Sequence, residues 1–479
     1  MIRKRIMSFC LAAAMCFMVS GCGEKSLLDP KDPVTIEVWT YYNGDQLTAF
    51  DSLVEEFNET VGKENGIIVK SSSQGSVNDL EMNVLAAIRG EVGAAEVPNV
   101  FMAYADTVYA ADQMGDIVDL KSYLSDEDIE LYIESYMKEG DFSGNGEIKI
   151  FPIAKATEVL VLNKTDWDAF AAETGADYTD MADMESLVKT AQSYYEWTDA
   201  KTPEIPSDGK ALFGRDAMAN YMLIGSMQLG TEIFRISDGK MTLDFDKATI
   251  RKLWDCYYIP FVKGYFAASG RFRSDDIKTG NIIAYVGSSS GASFFPDMVS
   301  TSDEESHSIE MEVLPCPGFA GGEAYAVQQG AGMVVTKKSD AEIYAAVEFL
   351  KWFTADDKNI FFSVQSGYLP VTKTANDKEV ILNSGAEISP KMEKTLSVAV
   401  DMINNSKVYT TKAFEEGTEA RNILEYALSD RAVQDRSIVE ERLAAGQTLD
   451  EAAAEFCTDE YFAAWYEDTW NRLQVFESR

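Results

Sequence analysis

EIKIFPIAKATEVLVLNKTDW, residues 147–167, is the stretch of sequence that decides the fold. The apolar residues at 148–151 predict a strand that ends at Pro152, since proline cannot donate a hydrogen bond to a sheet. The aliphatic and β-branched residues at 159–162 predict a second strand. Too few residues separate the two for a helix or a hairpin. We therefore predict that the chain crosses here from one sheet to another, with Lys155 and Glu158 where the two bodies meet; the alternative is one bent strand with a bulge.

Strands and helices alternate in the chain before this crossing. Strands are predicted at 34–39, 67–69 and 98–102, and helices at 47–57, 80–88 and 107–114. This alternation predicts an α/β fold with a parallel sheet covered by helices, in which ligands bind beyond the carboxyl ends of the strands. Ser76 and Asp79 also match a capping box at the start of the second helix. The candidate ligand-binding residues near these strand ends are Trp39, Tyr41, Tyr42, Ser76, Asp79, Tyr104 and Asp106.

A second set of elements is predicted after the crossing. Helices are predicted at 184–197, 217–229, 247–261 and 341–354, strands at 281–286, 311–314 and 331–336, and mainly helices from Met392 onward. The strand at 281–286 ends in Gly-Ser-Ser-Ser-Gly, which formally fits the G-x-S-x-G turn of serine hydrolases. A hydrolase would need a base for Ser289, and the one histidine, His307, lies in an acidic loop. Ser289 as a ligand contact and a plain turn both stay open.

The crossing segment resembles a known family. Phe-Pro-Ile-Ala at 151–154, followed after four residues by Val-Leu-Val-Leu-Asn-Lys, is similar to the signature of the family 1 extracellular solute-binding proteins of ABC importers. This group includes maltose-binding and glycerol-phosphate-binding proteins; Leu162 stands where the family usually has an aromatic residue. Gly-Thr-Glu-Ile-Phe at 230–234, the Gly-Ser-Ser-Ser-Gly-Ala strand end and Gly-Tyr-Leu-Pro-Val at 367–371 are similar to further segments of the same family.

The resemblance implies a two-lobed, periplasmic-binding-protein-like fold of type II, with the ligand in a cleft that closes by hinge bending. One lobe would contain residues 34–154 plus 330–385, and the other residues 155–329 plus 386–479. By the same resemblance Ser289, Gly332 and Tyr368 would contact the ligand, and Lys155 and Glu158 would lie beside it. A binding protein of this kind is not an enzyme. The resemblance implies no cofactor.

The ligand predicted from the resemblance is a carbohydrate. Aromatic side chains cover the apolar faces of sugars, and polar side chains bind their hydroxyls. Lys155 and Ala156 stand where the glycerol-phosphate binders carry serines, and Ala413, beside Lys412, stands where they carry an arginine. Loss of that arginine removes a bidentate phosphate clamp. We therefore expect a neutral mono- or oligosaccharide, with glycerol phosphate or a phosphorylated polyol as the alternative.

The N-terminus resembles that of a bacterial lipoprotein. Basic residues precede an apolar stretch at 6–19, which is shorter than the about 20 residues of a membrane-spanning helix. Val-Ser-Gly-Cys at 19–22 is similar to a lipobox. We predict a signal peptide at 1–21, lipid attachment at Cys22 and a tether at 22–33, so that the protein is extracytoplasmic and anchored to the membrane. The alternative is an ordinary secretory signal.

Charge and cysteine content exclude several classes of partner and site. The formal net charge is −37, so phosphate-rich partners such as nucleic acid would be repelled. Asp141 to Gly146 resembles half of a calcium loop, but its twelfth position is Pro152 rather than glutamate. Cys256, Cys316 and Cys457 are widely spaced, which favours free thiols over a metal site, with one disulfide as the alternative. We expect a monomer whose partners are the carbohydrate and the ABC permease subunits.

Overall fold

The computed structural model describes residues 27–237, 240–301 and 306–477. The predicted signal peptide and Cys22 lie outside these residues. The strands are β1 Val34–Thr40, β2 Ile67–Ser73, β3 Val100–Ala103, β4 Glu158–Asn163, β5 Phe213–Arg215, β6 Phe234–Ser237, β7 Lys240–Leu243, β8 Ala284–Ser288, β9 Met298–Ser300, β10 Ser306–Ser308, β11 Met311–Pro315, β12 Tyr325–Val327, β13 Gly332–Val335 and β14 Lys407–Tyr409.

Helices make up most of the remaining regular structure. The α-helices are α1 Gly44–Glu59, α2 Val61–Asn65, α3 Val77–Ile88, α4 Ala105–Gln113, α5 Asp126–Leu131, α6 Glu134–Met137, α7 Lys164–Thr174, α8 Met184–Asp199, α9 Met218–Gln228, α10 Lys247–Val262, α11 Arg273–Thr279, α12 Asp340–Phe353, α13 Asp356–Ser366, α14 Lys378–Leu382, α15 Pro390–Asn405, α16 Gly417–Ala444, α17 Leu449–Ala453 and α18 Asp459–Leu473. Short 3₁₀ helices lie at Leu120–Ser122, Lys138–Gly140, Tyr178–Met181, Ser289–Phe294, Ala454–Cys457 and Gln474–Phe476.

The first sheet has the strand order β13-β3-β1-β2. β1 is parallel to both β2 and β3, as the alternation of strands and helices predicts. β13 is antiparallel to β3 and makes the sheet mixed. β13 enters this sheet from the crossing segment at Gln329–Gly330, without a helix that would return the chain to the other end of the sheet. Because β1, β2 and β3 are parallel, their carboxyl ends share one edge of the sheet.

The second sheet has the order β11-β4-β8-β5. β4 is the predicted strand at 159–162, extended by one residue at each end, and it is antiparallel to both β8 and β11. β5 is parallel to β8. All six residues of β4 are buried, which explains why this run is almost uniformly apolar.

Three chain segments run side by side where the two sheets meet. Phe151 donates a backbone hydrogen bond to Met333 (2.7 Å), Ala156 donates to Gln329 (2.9 Å), and Lys155 donates to Leu369 (3.1 Å). The prediction of a regular strand at 148–151 is wrong, since only an isolated bridge forms there before Pro152. The predicted passage from one sheet to another is observed.

Two hydrophobic cores cover the sheets. The first core surrounds the first sheet and continues beneath α15, which packs on β11 of the second sheet. The second core lies on the other face of the second sheet and contains α8, α9, α10, α16 and α18. None of the helices in the described part of the chain combines the length and apolar composition that a membrane crossing requires.

Candidate functional site

A cavity of about 1010 Å³ lies between the helices beside the first sheet and the elements of the second core. Its first wall comes from α4 and from residues 135–147. Its second wall comes from the end of α9, from β12 and from residues 408–413, which begin within β14 and continue beyond it. β12 and β14 pair in parallel, so that Tyr325 and Tyr409 are both brought to this wall. We call this cavity the cleft.

Aromatic side chains line both walls of the cleft. On the first wall, the ring of Tyr109 packs edge-on against Phe142, with 5.5 Å between centroids. On the second wall lie Tyr325 and Tyr409. Burial raises the pKa of Tyr409 to about 12, so its hydroxyl stays protonated and remains a hydrogen-bond donor at neutral pH. The cleft thus combines flat apolar surfaces with hydroxyl groups.

The charged side chains of the cleft are largely paired with one another or with neighbours. Asp112 pairs with Lys149 (2.6 Å), and Glu232 pairs with Lys412 (2.8 Å). Asp141 accepts from the backbone N–H of Gly146 through one oxygen, while its Oδ1 is buried without a described partner. The residues found to line the cleft include no arginine. An acceptor is therefore available there, but a guanidinium clamp for phosphate is not.

A second cavity, of about 550 Å³, lies beside the cleft along α4. The two cavities share Tyr109 and Gln113 as lining residues. Asp106, at the start of α4, and the segment 414–419, which leads into α16, form its opposite sides. Asp106 is paired with Arg421 of α16, and its Oδ1 is buried without a described partner. The pair connects the first sheet's edge with the second core.

The predicted tyrosines at the strand ends form a polar cluster. Tyr41, Tyr104 and Tyr368 lie close enough together to influence one another's pKa, and the Tyr41 hydroxyl accepts from the backbone N–H of Ala331 (3.4 Å). Tyr104 is 36% exposed, whereas Tyr41 and Tyr368 are buried. Burial raises the pKa of Tyr41 and Tyr368, which keeps both hydroxyls protonated. Ala331 follows the crossing segment, and Gly367, next to Tyr368, approaches the backbone of Ser289 and Ser290 after β8, so the cluster lies where the two sheets approach each other.

Two other predicted aromatic residues lie in the first core. Trp39 is 3% exposed, and its indole N–H donates to Glu37 (2.8 Å). Tyr42 is fully buried, and its ring packs against Phe50, Phe362 and Tyr368. Neither residue lines either cavity.

Ser76 and Asp79 form the predicted capping box. The Ser76 hydroxyl accepts from the backbone N–H of Asp79 (3.1 Å), and the Asp79 carboxylate accepts from the backbone N–H of Ser76 (3.1 Å). The Ser76 hydroxyl also donates to the Asp79 carboxylate (2.6 Å), and this hydrogen bond, together with that from the Ser76 backbone, lowers the pKa of Asp79. The two side chains thus stabilise the start of α3.

The two charged residues of the crossing segment are each buried in an ion pair. Lys155 is fully buried; it pairs with Glu139 and donates to the backbone carbonyl of Gly330 (2.7 Å). Glu158 pairs with Arg215 and accepts from Asn220 (2.9 Å). Burial raises the pKa of Glu158, against the opposing effect of Arg215. Both pairs hold the crossing in place, and Glu139 also lines the cleft.

The remaining predicted contacts, Ser289 and Gly332, are buried. The backbone N–H of Ser289 donates to Thr157 (2.8 Å), while its hydroxyl has no described partner and therefore no base in contact. His307 is paired instead with Asp166 (2.9 Å). Gly332 lies opposite Ala103 in the first sheet, and a Cβ there would collide with Ile150. Gly332 is thus explained by close packing.

Sequence reasoning missed most of the cleft wall. Asp106 is the one predicted ligand residue that lines either of the two cavities. The sequence contains a signal for two of these residues. Tyr109 lies in the predicted helix at 107–114, and Phe142 lies in the turn at 141–146 that resembles half of a calcium loop. Within the described ranges no cluster of histidine, cysteine, aspartate and glutamate is arranged to hold a metal ion. Cys256, Cys316 and Cys457 are free thiols, as expected.

Comparisons with solved structures show the fold. UgpB from Mycobacterium tuberculosis, in complex with glycerophosphocholine, is 19% identical, with 92% of this chain and 98% of that chain covered at a TM-score of 0.66. The cyclic α-maltosyl-1,6-maltose binding protein from Arthrobacter globiformis is 17% identical, with 92% and 100% covered at 0.63. The maltotriose-bound maltose/maltodextrin-binding domain MalE from Bdellovibrio bacteriovorus is 14% identical, with 91% and 100% covered at 0.60.

Comparison of the sequence with known protein families adds evidence of common descent to this similarity of fold. No curated protein sequence matches the chain. The family model for bacterial extracellular solute-binding proteins matches residues 52–388, which is more than half of the chain. These residues run from the middle of α1 to the loop before α15 and include the crossing segment, the second sheet and three of the four strands of the first sheet, β1 lying before them. The two-lobed solute-binding fold, a non-enzymatic binding role and an extracytoplasmic location follow. The chain belongs to the bacterial extracellular solute-binding protein family.

Proposed function

We propose that this protein captures a carbohydrate, an oligosaccharide in preference to a single sugar, and delivers it to an ABC permease. The ligand binds in the cleft between a lobe of residues 34–154 plus 330–385 and a lobe of residues 155–329 plus 386–479. Cys22 carries a lipid that anchors the protein, which acts as a monomer. The protein binds its ligand and does not transform it.

The observation that carries this proposal is the composition of the cleft. Tyr109, Phe142, Tyr325 and Tyr409 offer flat surfaces to sugar rings, and the paired carboxylates and lysines offer acceptors and donors to hydroxyls. The volume of about 1010 Å³ is at the upper end of the range for small-molecule sites, which favours several rings over one. The saccharide ligands named for two of the structural neighbours support the same class.

The alternative ligand, a glycerol phosphate ester, is supported by the glycerophosphocholine complex of UgpB. A phosphate group needs cationic donors, and Lys412 is the cation closest in sequence to the position where arginine is expected. Lys412 is paired with Glu232, and five carboxylates line the cleft against two lysines. This balance favours a neutral ligand over an anionic one.

Thermal-shift measurement with a ligand panel tests the proposal. The lipid-free chain, residues 23–479, would be screened against maltotriose, xylotriose, cellotriose, glucose, glycerol 3-phosphate and glycerophosphocholine. A true ligand stabilises the protein by RT ln(1 + [L]/Kd), about 2.7 kcal/mol at a hundredfold excess over Kd. We expect a saccharide to raise the melting temperature and the phosphate esters to leave it unchanged. A shift with the phosphate esters alone would contradict the proposal in favour of the alternative.

A further inference from the structure

Arg421 and Asp106 join the two halves of the molecule next to the cleft. Arg421 lies in the first turns of α16, where its neighbours Ala420 and Leu424 are buried in the second core. Asp106 lies in the first turn of α4, directly after β3 of the first sheet. The Arg421 Nε donates to Asp106 Oδ2 (2.8 Å), and Nη2 donates to the same oxygen. The two side chains are 15% and 13% exposed, so little solvent screens the pair.

The guanidinium of Arg421 is also held by the wall of the cavities. Its Nη2 lies 3.4 Å from the backbone carbonyl of Lys412, and its carbon lies 5.8 Å from the centre of the Phe414 ring. These contacts orient the guanidinium towards α4. They also connect the pair with the segment 408–413 that forms the second wall of the cleft.

Gly417 makes the close approach of Asp106 possible. A Cβ at residue 417 would lie 2.6 Å from Asp106 Oδ1 and 3.2 Å from Arg421 Nη2. Any side chain there would therefore push Asp106 away from α16. The first residue of α16 and the guanidinium one turn later together form a seat for the carboxylate of Asp106.

We infer that Arg421 is a positioning residue that latches the cleft closed through Asp106, whether or not ligand is bound. The pair forms only when the start of α4 and the start of α16 approach each other, so it stabilises the closed arrangement. The apparent Kd equals the intrinsic Kd divided by the fraction of protein that is competent to bind. Loss of the latch should therefore weaken every ligand by one common factor. The common weakening of all ligands rests on the proposed function, whereas closure of the cleft without ligand does not.

Small-angle X-ray scattering of the unliganded, lipid-free chain tests the latch directly. We expect Arg421→Gln and Asp106→Asn to increase the radius of gyration, and the double variant to increase it no further than either single one. Gly417→Ala should have the same effect without any change of charge, and alanine favours helix, so α16 should stay intact. Arg436→Gln is the matched control, because Arg436 pairs with Glu440 within the same helix. The radius of gyration of Arg436→Gln should equal that of the wild type.

Ligand binding gives the second measurement. Titration calorimetry with maltotriose and xylotriose should show Arg421→Gln and Gly417→Ala raising the Kd of each bound probe by the same factor, about tenfold. Different factors for the two probes would overturn the inference in favour of direct ligand contact by Arg421. An unchanged radius of gyration together with a lower melting temperature would also overturn it, since the pair would then act in folding alone. If neither probe binds, the thermal-shift panel decides the ligand class, and scattering alone decides the latch.

Discussion

Two aromatic side chains of the cleft wall, Tyr109 and Phe142, pack against each other, and Phe142 also packs against the first core. Tyr109 and Phe142 come from different segments, α4 and the loop after the 3₁₀ helix at Lys138–Gly140, and each supports the other at 5.5 Å. A ring held in this way loses little rotational freedom when a ligand stacks on it, because it is already ordered. Its contribution to binding should therefore be large relative to its contribution to folding.

Tyr109→Ala tests this expectation. We expect the Kd for the saccharide identified in the panel to rise about tenfold, equivalent to about 1.4 kcal/mol, because a stacking surface is removed. Titration calorimetry measures the effect. Tyr344→Ala is the control, since Tyr344 is 40% exposed on α12 and does not line the cleft. Equal Kd values for the two variants would contradict a role of Tyr109 in binding.

Asp216 should make stability depend on pH. Burial raises the pKa of Asp216 from 3.8 to about 6, with Arg273 opposing the rise. Between pH about 4 and about 6 the folded state holds a proton that the unfolded state has lost. The stabilisation by that proton is complete below about pH 4 and is lost as the pH rises through 6, by about 3 kcal/mol in the free energy of unfolding.

Urea denaturation at pH 4.5 and pH 7 measures this dependence. Asp216→Asn carries no titrating group, so its unfolding free energy should fall less than that of the wild type between these two pH values. The comparison removes the contribution of the many other carboxylates, which titrate in both proteins. A parallel pH dependence of the two proteins would show that Asp216 has an ordinary pKa.

At the scale of elements, the crossing between the sheets depends on one glycine. Gly330 has a φ of +90°, and a Cβ there would lie 2.9 Å from the carbonyl oxygen of Ala154. Its own carbonyl accepts from the buried ammonium of Lys155. The chain segments at 151–156 and 329–333 can lie this close together because residue 330 has no side chain.

Gly330→Ala should therefore lower the melting temperature strongly. We expect a loss of about 2–4 kcal/mol in the free energy of unfolding, from the positive φ and the collision together. Gly385→Ala is the matched control, since Gly385 has a similar φ of +82° and a Cβ there would meet no other atom within 4 Å. Similar losses for both variants would show that backbone strain alone is responsible.

The sequence predicts those elements whose pattern is local. β4 is a run of buried aliphatic residues, and the Ser76–Asp79 capping box is a motif of four residues, so both are found where the sequence places them. The expected strand at 148–151 fails because Pro152 follows it and its pairing depends on a segment some 180 residues away. The sequence does not predict the cleft wall at 408–413 for a similar reason. Most of this segment is irregular backbone after β14, and its position depends on the pairing of β14 with β12.

At the scale of the whole molecule, the first sheet does not belong to a continuous piece of chain, whereas the four strands of the second sheet all lie within residues 158–315. β13 completes the first sheet only after all four strands of the second sheet have passed, and α16 and α18 of the second core come later still. The fragment 27–329 contains three strands of the first sheet and lacks both of these helices. We expect it to show no cooperative thermal unfolding by circular dichroism.

The complementary fragment provides the control for this prediction. Residues 330–479 carry β13, α15, α16 and α18, so refolding the two fragments together should restore a cooperative transition. Cooperative unfolding of the fragment 27–329 alone would contradict the dependence of the first sheet on β13.

The late arrival of β13 also has a consequence for biosynthesis. The edge of β3 that β13 covers stays open from residue 103 until residue 335 has emerged, so the nascent chain presents an unpaired strand edge while about half of it is made. Contacts of such long sequence separation slow folding. A protein that crosses a membrane before it folds would benefit from that delay, because export machinery needs time to engage a chain that is still unfolded.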